Sequence, residues 1–256
     1  MDQVLKKYIT NFLLTVYGLY NFAARYFKEV FKPPYEFKEM FKQFFEIGYK
    51  SLGLVSITGF IIGFVLALQA IPMLTKFGAL SLIPTMISIS IIREIGPVIT
   101  GLICAGKIGS GIGAELGSMK VSEQIDAMEV SATNPFKFLV VTRITATSLM
   151  IPILIIFADT IALIGGFIAL NIVNGEGLQL YFTTIFSALT FADVVPATIK
   201  TFFFGYAIGL VGSYQGYNAS RGTESVGIAA NISVVYSSLL VIIIDMIAVQ
   251  LTTILF

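Results

Sequence analysis

The sequence predicts an all-α integral membrane protein, with an N-terminal interfacial amphipathic helix followed by about five transmembrane helices. Apolar residues make up 56% of the chain and charged residues only 12%, whereas about a quarter of the residues in a soluble domain are charged. The apolar residues also gather in stretches of about 20 or more, the length that a helix needs to cross a hydrocarbon core about 30 Å thick.

The composition also limits the chemistry and the partners of the chain. The formal net charge is only +1, so there is no strongly basic surface, and nucleic acid is not an expected partner. The sequence contains no histidine, and Cys104 is its single cysteine. This excludes His/Cys zinc sites, an intrachain disulfide and every histidine-based triad. We therefore expect no metal site and no catalytic residues.

Residues 1–50 form the first region. They hold eight of the sixteen basic residues, interleaved with phenylalanine and tyrosine, and Pro33-Pro34 interrupts the pattern. Apolar residues recur at helical spacing on both sides of the prolines, as in amphipathic helices that lie among lipid headgroups. We expect this segment to lie on the membrane surface.

Residues 51–256 form the transmembrane permease domain. Basic residues in short loops tend to remain cytoplasmic, and thirteen of the sixteen, including Arg221, fall on one side of the predicted topology. The N-terminus is therefore predicted to be cytoplasmic and the C-terminus periplasmic. Apolar spacing in 178–189 predicts a short amphipathic helix on the outer surface. The predicted spans are 51–72, 82–106, 144–172, 194–217 and 228–256.

Charged residues within these spans need a physical explanation, because each costs at least about 2.5–3.5 kcal/mol near the bilayer centre unless it is paired or hydrated. They either form internal ion pairs that fix the helix register or line a polar pathway between helices. Pro97 lacks the amide that would bond to the Arg93 carbonyl, so Gly96 and Pro97 are predicted to form a hinge. The intramembrane charged residues are Arg93, Glu94, Asp159, Lys200 and Asp245.

The connection 107–143 is predicted to be cytoplasmic. Gly109, Gly113 and Gly117 share one helix face against which another helix can pack. Residues 114–130 combine helix formers with charge, which indicates a short helix suited to docking against a soluble partner; the alternative is a solvated helix that only joins two spans. The candidate docking residues are Glu115, Leu116, Met119, Lys120, Glu123, Gln124, Asp126 and Glu129.

Gly101–Lys107 fits the first seven positions of a phosphate-binding loop. Ile108 replaces the hydroxyl residue that would bind magnesium, and no strand precedes the stretch, so nucleotide binding is not expected here. The chain also has no soluble region large enough for an ATPase domain. Any nucleotide energy must therefore come from a separate subunit.

Four matching stretches lie at 93–98, 105–110, 114–120 and 123–130. Together they resemble MlaE-type permeases, the membrane subunits of MCE-associated ABC transporters that move phospholipids between membranes. The resemblance is dense across about 93–143. Lys107 stands where that family usually has arginine, and Asn134 where it usually has aspartate, which leaves a phospholipid or a sterol-like cargo open.

The resemblance implies a bacterial inner-membrane homodimer, a cytoplasmic ABC ATPase that binds ATP and Mg²⁺, and a periplasmic MCE-domain protein. It also implies that 114–130 is the coupling helix. We expect two copies to enclose an outward-opening apolar cavity between spans 1, 2 and 5. Its candidate lining, which would also serve as ordinary helix packing, is Leu66, Leu68, Gln69 and Met73.

Two other classes of function remain open from the residues alone. An intramembrane lipid-modifying enzyme could use Glu94, Asp159 and Asp245 for acid/base work, although no nucleophile or metal motif supports it. An ion channel has only the intramembrane charges in its favour.

Overall fold

The computed structural model describes residues 2–220 and 222–255, so Arg221, which contributed to the charge count, lies outside the described residues. Within those ranges the chain is helical and has no strand, and five helices are long and apolar enough to cross a membrane. This confirms the predicted all-α membrane fold. The helices are α1 (Asp2–Val30), α2 (Phe37–Phe44), α3 (Lys50–Lys76), α4 (Ile83–Ser90), α5 (Gly96–Cys104), α6 (Ser110–Val121), α7 (Gln124–Val130), α8 (Thr142–Asn174), α9 (Leu178–Ala188), α10 (Phe191–Tyr217) and α11 (Thr223–Leu255).

Turns of π-helix join several of these helices without a break. They connect α2 to α3, α4 to α5 and α5 to α6, and a further π-helical segment, Phe136–Val141, leads directly into α8. The second candidate span therefore extends from Leu80 to Val121, past the predicted end of that span at residue 106, and the cytoplasmic location of the connection 107–143 stays a prediction. Gly109, Gly113 and Gly117 in this stretch lie against neighbouring helices.

The single helix predicted over 114–130 is also wrong, because the chain turns between Val121 and Gln124. Glu123 has a φ of 59°, in the left-handed region, and α7 begins one residue later. Lys120 bridges the turn with an ammonium-to-carboxylate distance of 2.7 Å to Asp126. The charged segment is thus a short helix set at an angle to the end of α6.

Glycine packing holds the spans together. A Cβ on Gly63 would overlap the Ala162 carbonyl, and one on Gly59 would lie 2.7 Å from the Ala158 carbonyl, so α3 and α8 touch at their backbones. On α6, a Cβ on Gly113 would lie 2.5 Å from the Ser233 hydroxyl of α11. The predicted packing face on Gly109, Gly113 and Gly117 is therefore confirmed.

The amphipathic helices α9 and α1 pack against the bundle. In α9, Tyr181 is fully buried, and its hydroxyl donates a 3.0 Å hydrogen bond to the Leu163 carbonyl. In α1, Phe22 and Tyr26 are buried, whereas Tyr20 and other apolar residues are exposed. Both helices were expected from the apolar spacing, and their place at the membrane surface stays a prediction.

Candidate functional site

The Lys200 side chain on α10 is the centre of a polar cluster within the candidate spans. It is only 4% exposed, and its ammonium lies 3.0 Å from a Glu94 carboxylate oxygen and 2.7 Å from one of Asp245. It also donates a 2.6 Å hydrogen bond to the Arg93 carbonyl. An ammonium has three hydrogens to donate, so every donor of this buried cation is used. The cluster joins the segment before α5 to α10 and α11.

The sequence places a free carbonyl where Lys200 needs an acceptor. In a regular helix the amide of residue 97 would bond to the carbonyl of residue 93, but proline has no such amide. A π-helical turn over Ile91–Ile95 precedes α5, and the Gly96 amide reaches back to the Ile91 carbonyl. The predicted irregularity at Gly96 and Pro97 is therefore present, and Lys200 satisfies the carbonyl that it exposes. Bending at this point stays a prediction.

Arg93 has a partner that the sequence pattern alone did not identify. Its guanidinium lies 3.4 Å from the Asp193 carboxylate in the first turn of α10. Asp193 also closes a capping box with Thr190, which fixes the start of that helix. The spacing Thr190-x-x-Asp193 is a recognisable helix-start pattern, but it gives no signal of the long-range ion pair.

Asp159 does not enter the ion-pair cluster. Its Oδ1 atom is buried and has no hydrogen-bond partner among the described residues. The same atom packs so closely on Gly96 that a Cβ at residue 96 would overlap it. Of the five predicted intramembrane charges, the structure therefore joins the side chains of Glu94, Lys200 and Asp245, pairs Arg93 elsewhere, and leaves Asp159 packed against the irregular turn.

An apolar pocket of about 680 Å³ opens between α10 and α11, beside the cluster. Lys200 is its one charged lining residue, and the pocket volume is in the range of small-molecule sites. A much smaller recess of about 20 Å³ shares Lys200 with it and reaches Arg93 and Glu94. The other lining residues of the large pocket are Phe191, Ala192, Val195, Pro196, Ile199, Phe203, Ile244, Ile247, Ala248, Leu251 and Thr252.

This pocket lies between the fourth and fifth spans, whereas the sequence predicted a cavity between spans 1, 2 and 5. None of Leu66, Leu68, Gln69 and Met73 lines it. Leu66 packs against the buried cluster around α3, α8 and α9, while Leu68 and Met73 are exposed on α3. A role for these four residues in a cavity shared by two copies stays a prediction.

The candidate docking residues divide into buried and exposed groups. Leu116 is fully buried in the core, so its inclusion in a docking surface is wrong. Glu115 lies 2.8 Å from the guanidinium of Arg143, which is 1% exposed, and therefore has a structural partner within this chain. Met119 packs partly buried against the core, and Lys120 holds the turn. The exposed residues from the set are Glu115, which is nevertheless paired with Arg143, and Glu123, Gln124, Asp126 and Glu129.

Comparison with known proteins gives consistent matches over most of the chain. The family described as "Permease MlaE" matches residues 40–251. A probable ABC transporter permease protein of Rickettsia typhi is 36% identical over 228 residues, covering 89% of this chain and 87% of the relative. The intermembrane phospholipid transport system permease protein MlaE of Haemophilus influenzae is 31% identical over 221 residues, covering 86% and 84%. The chloroplastic protein TRIGALACTOSYLDIACYLGLYCEROL 1 of Arabidopsis thaliana is 29% identical over 215 residues, covering 84% and 61%.

Proposed function

The chain belongs to the MlaE permease family of multi-pass membrane proteins, and from this premise we propose that it is the permease subunit of an ABC transporter that moves phospholipids between the inner and outer membranes of a bacterium. The chain itself catalyses no reaction in this proposal. A separate cytoplasmic ATPase binds ATP and Mg²⁺, and a periplasmic MCE-domain protein exchanges the lipid. The observation that carries the proposal is the apolar pocket beside the Lys200 cluster, in a chain of this family.

The pocket supplies the apolar environment that acyl chains require. Exposing about thirty acyl methylenes to water would cost on the order of 20 kcal/mol at about 0.8 kcal/mol each, so a carrier must shelter them throughout transfer. The walls of α10 and α11 are apolar, and the polar recess at Arg93 and Glu94 adjoins them. Arg93 is 43% exposed along its side chain, which leaves its guanidinium accessible to a lipid phosphate.

A homodimer would complete this pocket. The last span, α11, is the least buried of the five candidate spans among the described residues, and the pocket is open along its exposed face, where Leu251 and Ile247 are about half exposed. ABC transport uses two nucleotide sites, and a two-fold arrangement of this chain would present one docking surface to each ATPase. We expect the second copy to cover the α11 side of the pocket.

The exposed face of α7 is the proposed contact with the ATPase. Glu123, Gln124, Asp126 and Glu129 are exposed there, and Val130 is 90% exposed. Helical structure runs from this turn back through α6 and α5 to the irregular turn at Gly96. A push on α7 would therefore reach the segment that carries Arg93 and Glu94, and so the polar end of the pocket.

Copurification is the direct test of the proposed assembly. The tagged chain, expressed in its native membrane, is purified in mild detergent, and bound proteins and lipids are identified by mass spectrometry. We expect an ABC ATPase, an MCE-domain protein and phospholipid; sterol-like molecules in place of phospholipid would correct the cargo. The complex in liposomes should then transfer labelled phospholipid only when ATP is hydrolysed. Lipid conversion or ion conductance by the chain alone would refute the proposal.

A further inference from the structure

We propose that the chain carries a second lipid site, a headgroup pocket for a zwitterionic phospholipid with a primary ammonium group, of the phosphatidylethanolamine class. The site lies between the turn that follows α1 and the beginning of α8, and it shares no lining residue with the α10–α11 pocket. It is a cavity of about 90 Å³ that is lined by Val30, Tyr35, Glu36, Phe37, Met40, Lys137, Val141, Thr142 and Thr145.

Lys137 supplies an incompletely compensated buried cation. Its side chain is 6% exposed, and its ammonium donates one hydrogen bond, to the Lys32 carbonyl, and lies 5.7 Å from the centre of the Tyr35 ring. No carboxylate of the described residues is paired with it. Two of its three donors remain for a ligand, and a buried charge is costly unless an opposite charge or further hydrogen bonds compensate for it. A phosphate oxygen would supply both.

Glu36 supplies the opposite charge at the same cavity. It stands at the N-cap of α2, yet its side chain makes no capping hydrogen bond, and no ion pair of the described residues includes it. One cation and one carboxylate therefore line a cavity too small for a whole lipid. This arrangement fits a zwitterion, whose phosphate would meet Lys137 and whose ammonium would meet Glu36. A purely anionic headgroup would satisfy Lys137 but place its charge near Glu36 without compensation.

The cavity lies at the expected edge of the hydrocarbon core. The third candidate span covers Phe136–Asn174, and its midpoint is Ile155. A hydrocarbon core of about 20 residues centred there would reach to about Thr145, which lines the cavity, and Lys137, farther along, would lie outside that core. Phe31, Phe37 and Phe41 beside the cavity are 77%, 56% and 65% exposed, and they offer apolar surface along which acyl chains can lie. These exposed rings favour a lipid over a free phosphate compound as the occupant.

Photocrosslinking tests this site on the full chain. Purified protein in mild detergent is titrated with a short-chain phosphatidylethanolamine that carries a photoreactive group near the glycerol, and the crosslinked peptides are identified. We expect saturable crosslinks in 31–41 and 136–145. Glu36→Gln should weaken them at least tenfold for this lipid and change crosslinking by the matching phosphatidylglycerol less than twofold, because the latter has no ammonium. Glu46→Gln, which alters a carboxylate that pairs with Lys50 outside the cavity, is the matched control.

Lys137→Met should weaken both lipids, and if this variant does not fold, Glu36→Gln decides the outcome alone. Crosslinks that avoid the two segments, or that Glu36→Gln leaves unchanged, would overturn the site. Soluble phosphoethanolamine is the competitor that separates the two sources of this headgroup. If it displaces the lipid at equal concentration, the site binds a small metabolite and the lipid assignment is wrong. The result is independent of the proposed transport, because neither an ATPase nor lipid transfer enters the measurement.

Discussion

Asp245→Asn separates a structural role of the Lys200 cluster from a functional one. The substitution keeps the shape of the side chain and an oxygen that can accept the 2.7 Å hydrogen bond from Lys200, but it removes one negative charge. A hydrogen bond to a charged group contributes about 1.5–3 kcal/mol and a neutral one about 0.5–1.5 kcal/mol. The expected loss in the free energy of unfolding is therefore about 1–2 kcal/mol, which most folded proteins tolerate.

The harsher substitution Lys200→Met provides the upper limit. It leaves Glu94 and Asp245 without their cation and the Arg93 carbonyl without its donor, and breaking such a buried pair costs about 3–5 kcal/mol. Thermal unfolding of the purified chain in detergent, followed by size exclusion, should rank Asp245→Asn well above Lys200→Met in stability. Thr253→Val, on an exposed position of α11 outside the pocket, should match the unaltered chain.

Transport measured at equal amounts of folded protein then decides the role. We expect Asp245→Asn to lower ATP-dependent lipid transfer at least tenfold, because the balance of charges around Lys200 changes while the fold is retained. If transfer at equal amounts of folded protein is unchanged, the cluster merely fixes the packing of α10 and α11. That result would remove these charges from the proposed pathway.

Three further substitutions test the docking surface, the helix packing and the buried arginine. Glu123→Lys should reduce ATPase copurification at least tenfold without changing the permease assembly on size exclusion. The control Glu224→Lys, also exposed and predicted cytoplasmic, should leave ATPase copurification unchanged. Recovery of as much ATPase with Glu123→Lys as with the unaltered chain would refute the α7 contact. Gly63→Ala should lower the free energy of unfolding by about 1–3 kcal/mol, because the added Cβ would overlap the α8 backbone. Gly53 on the same helix has open space around it, so Gly53→Ala should be neutral or stabilising in the same thermal assay. Arg143→Lys should cost about 1–3 kcal/mol in that assay, since lysine cannot reproduce the forked contact with the α6 carboxylate; an unchanged midpoint would show that the ion pair is dispensable.

The spans could be predicted from the sequence because each exceeds the length that a bilayer requires. The ends of the spans could not be predicted, because glycine can either weaken a membrane helix or stabilise its packing against another helix. Gly113 and Gly117 weaken a helix in isolation, yet they stabilise it here by letting α11 approach. Only the partner helix shows which effect prevails, and a single sequence does not reveal it. The turn at Glu123 was missed for a related reason, since a non-glycine residue with positive φ has no reliable local signal.

Part of the polar cluster could be predicted from how deep each charged residue lies within its predicted span. Glu94, Lys200 and Asp245 fall at compatible depths in separate spans, and intramembrane charges tend to pair, so their meeting was foreseeable. The pairing of Arg93 with Asp193 was not, because a residue at a span end has both solvent and protein partners available. The burial of Leu116 within a charged segment could not be predicted from the sequence either. A surface helix and a core helix share the same apolar spacing over two turns.

The bonds of Lys200 also suggest how a local movement of α7, the proposed contact with the ATPase, would alter the pocket. Its ammonium holds the Arg93 carbonyl and the Glu94 carboxylate on one side and Asp245 of α11 on the other. From Pro97 to Val121 the chain is helical over 24 residue steps, about 36 Å at 1.5 Å per residue, so a displacement at the proposed α7 contact would be carried towards this junction. A shift of the α5 segment relative to α11 would strain these three bonds to a single atom. Two of them involve charged partners, worth about 1.5–3 kcal/mol each, so breaking one would oppose the shift by about that amount. The α10 and α11 walls of the pocket would then shift relative to the α5 segment as that bond breaks.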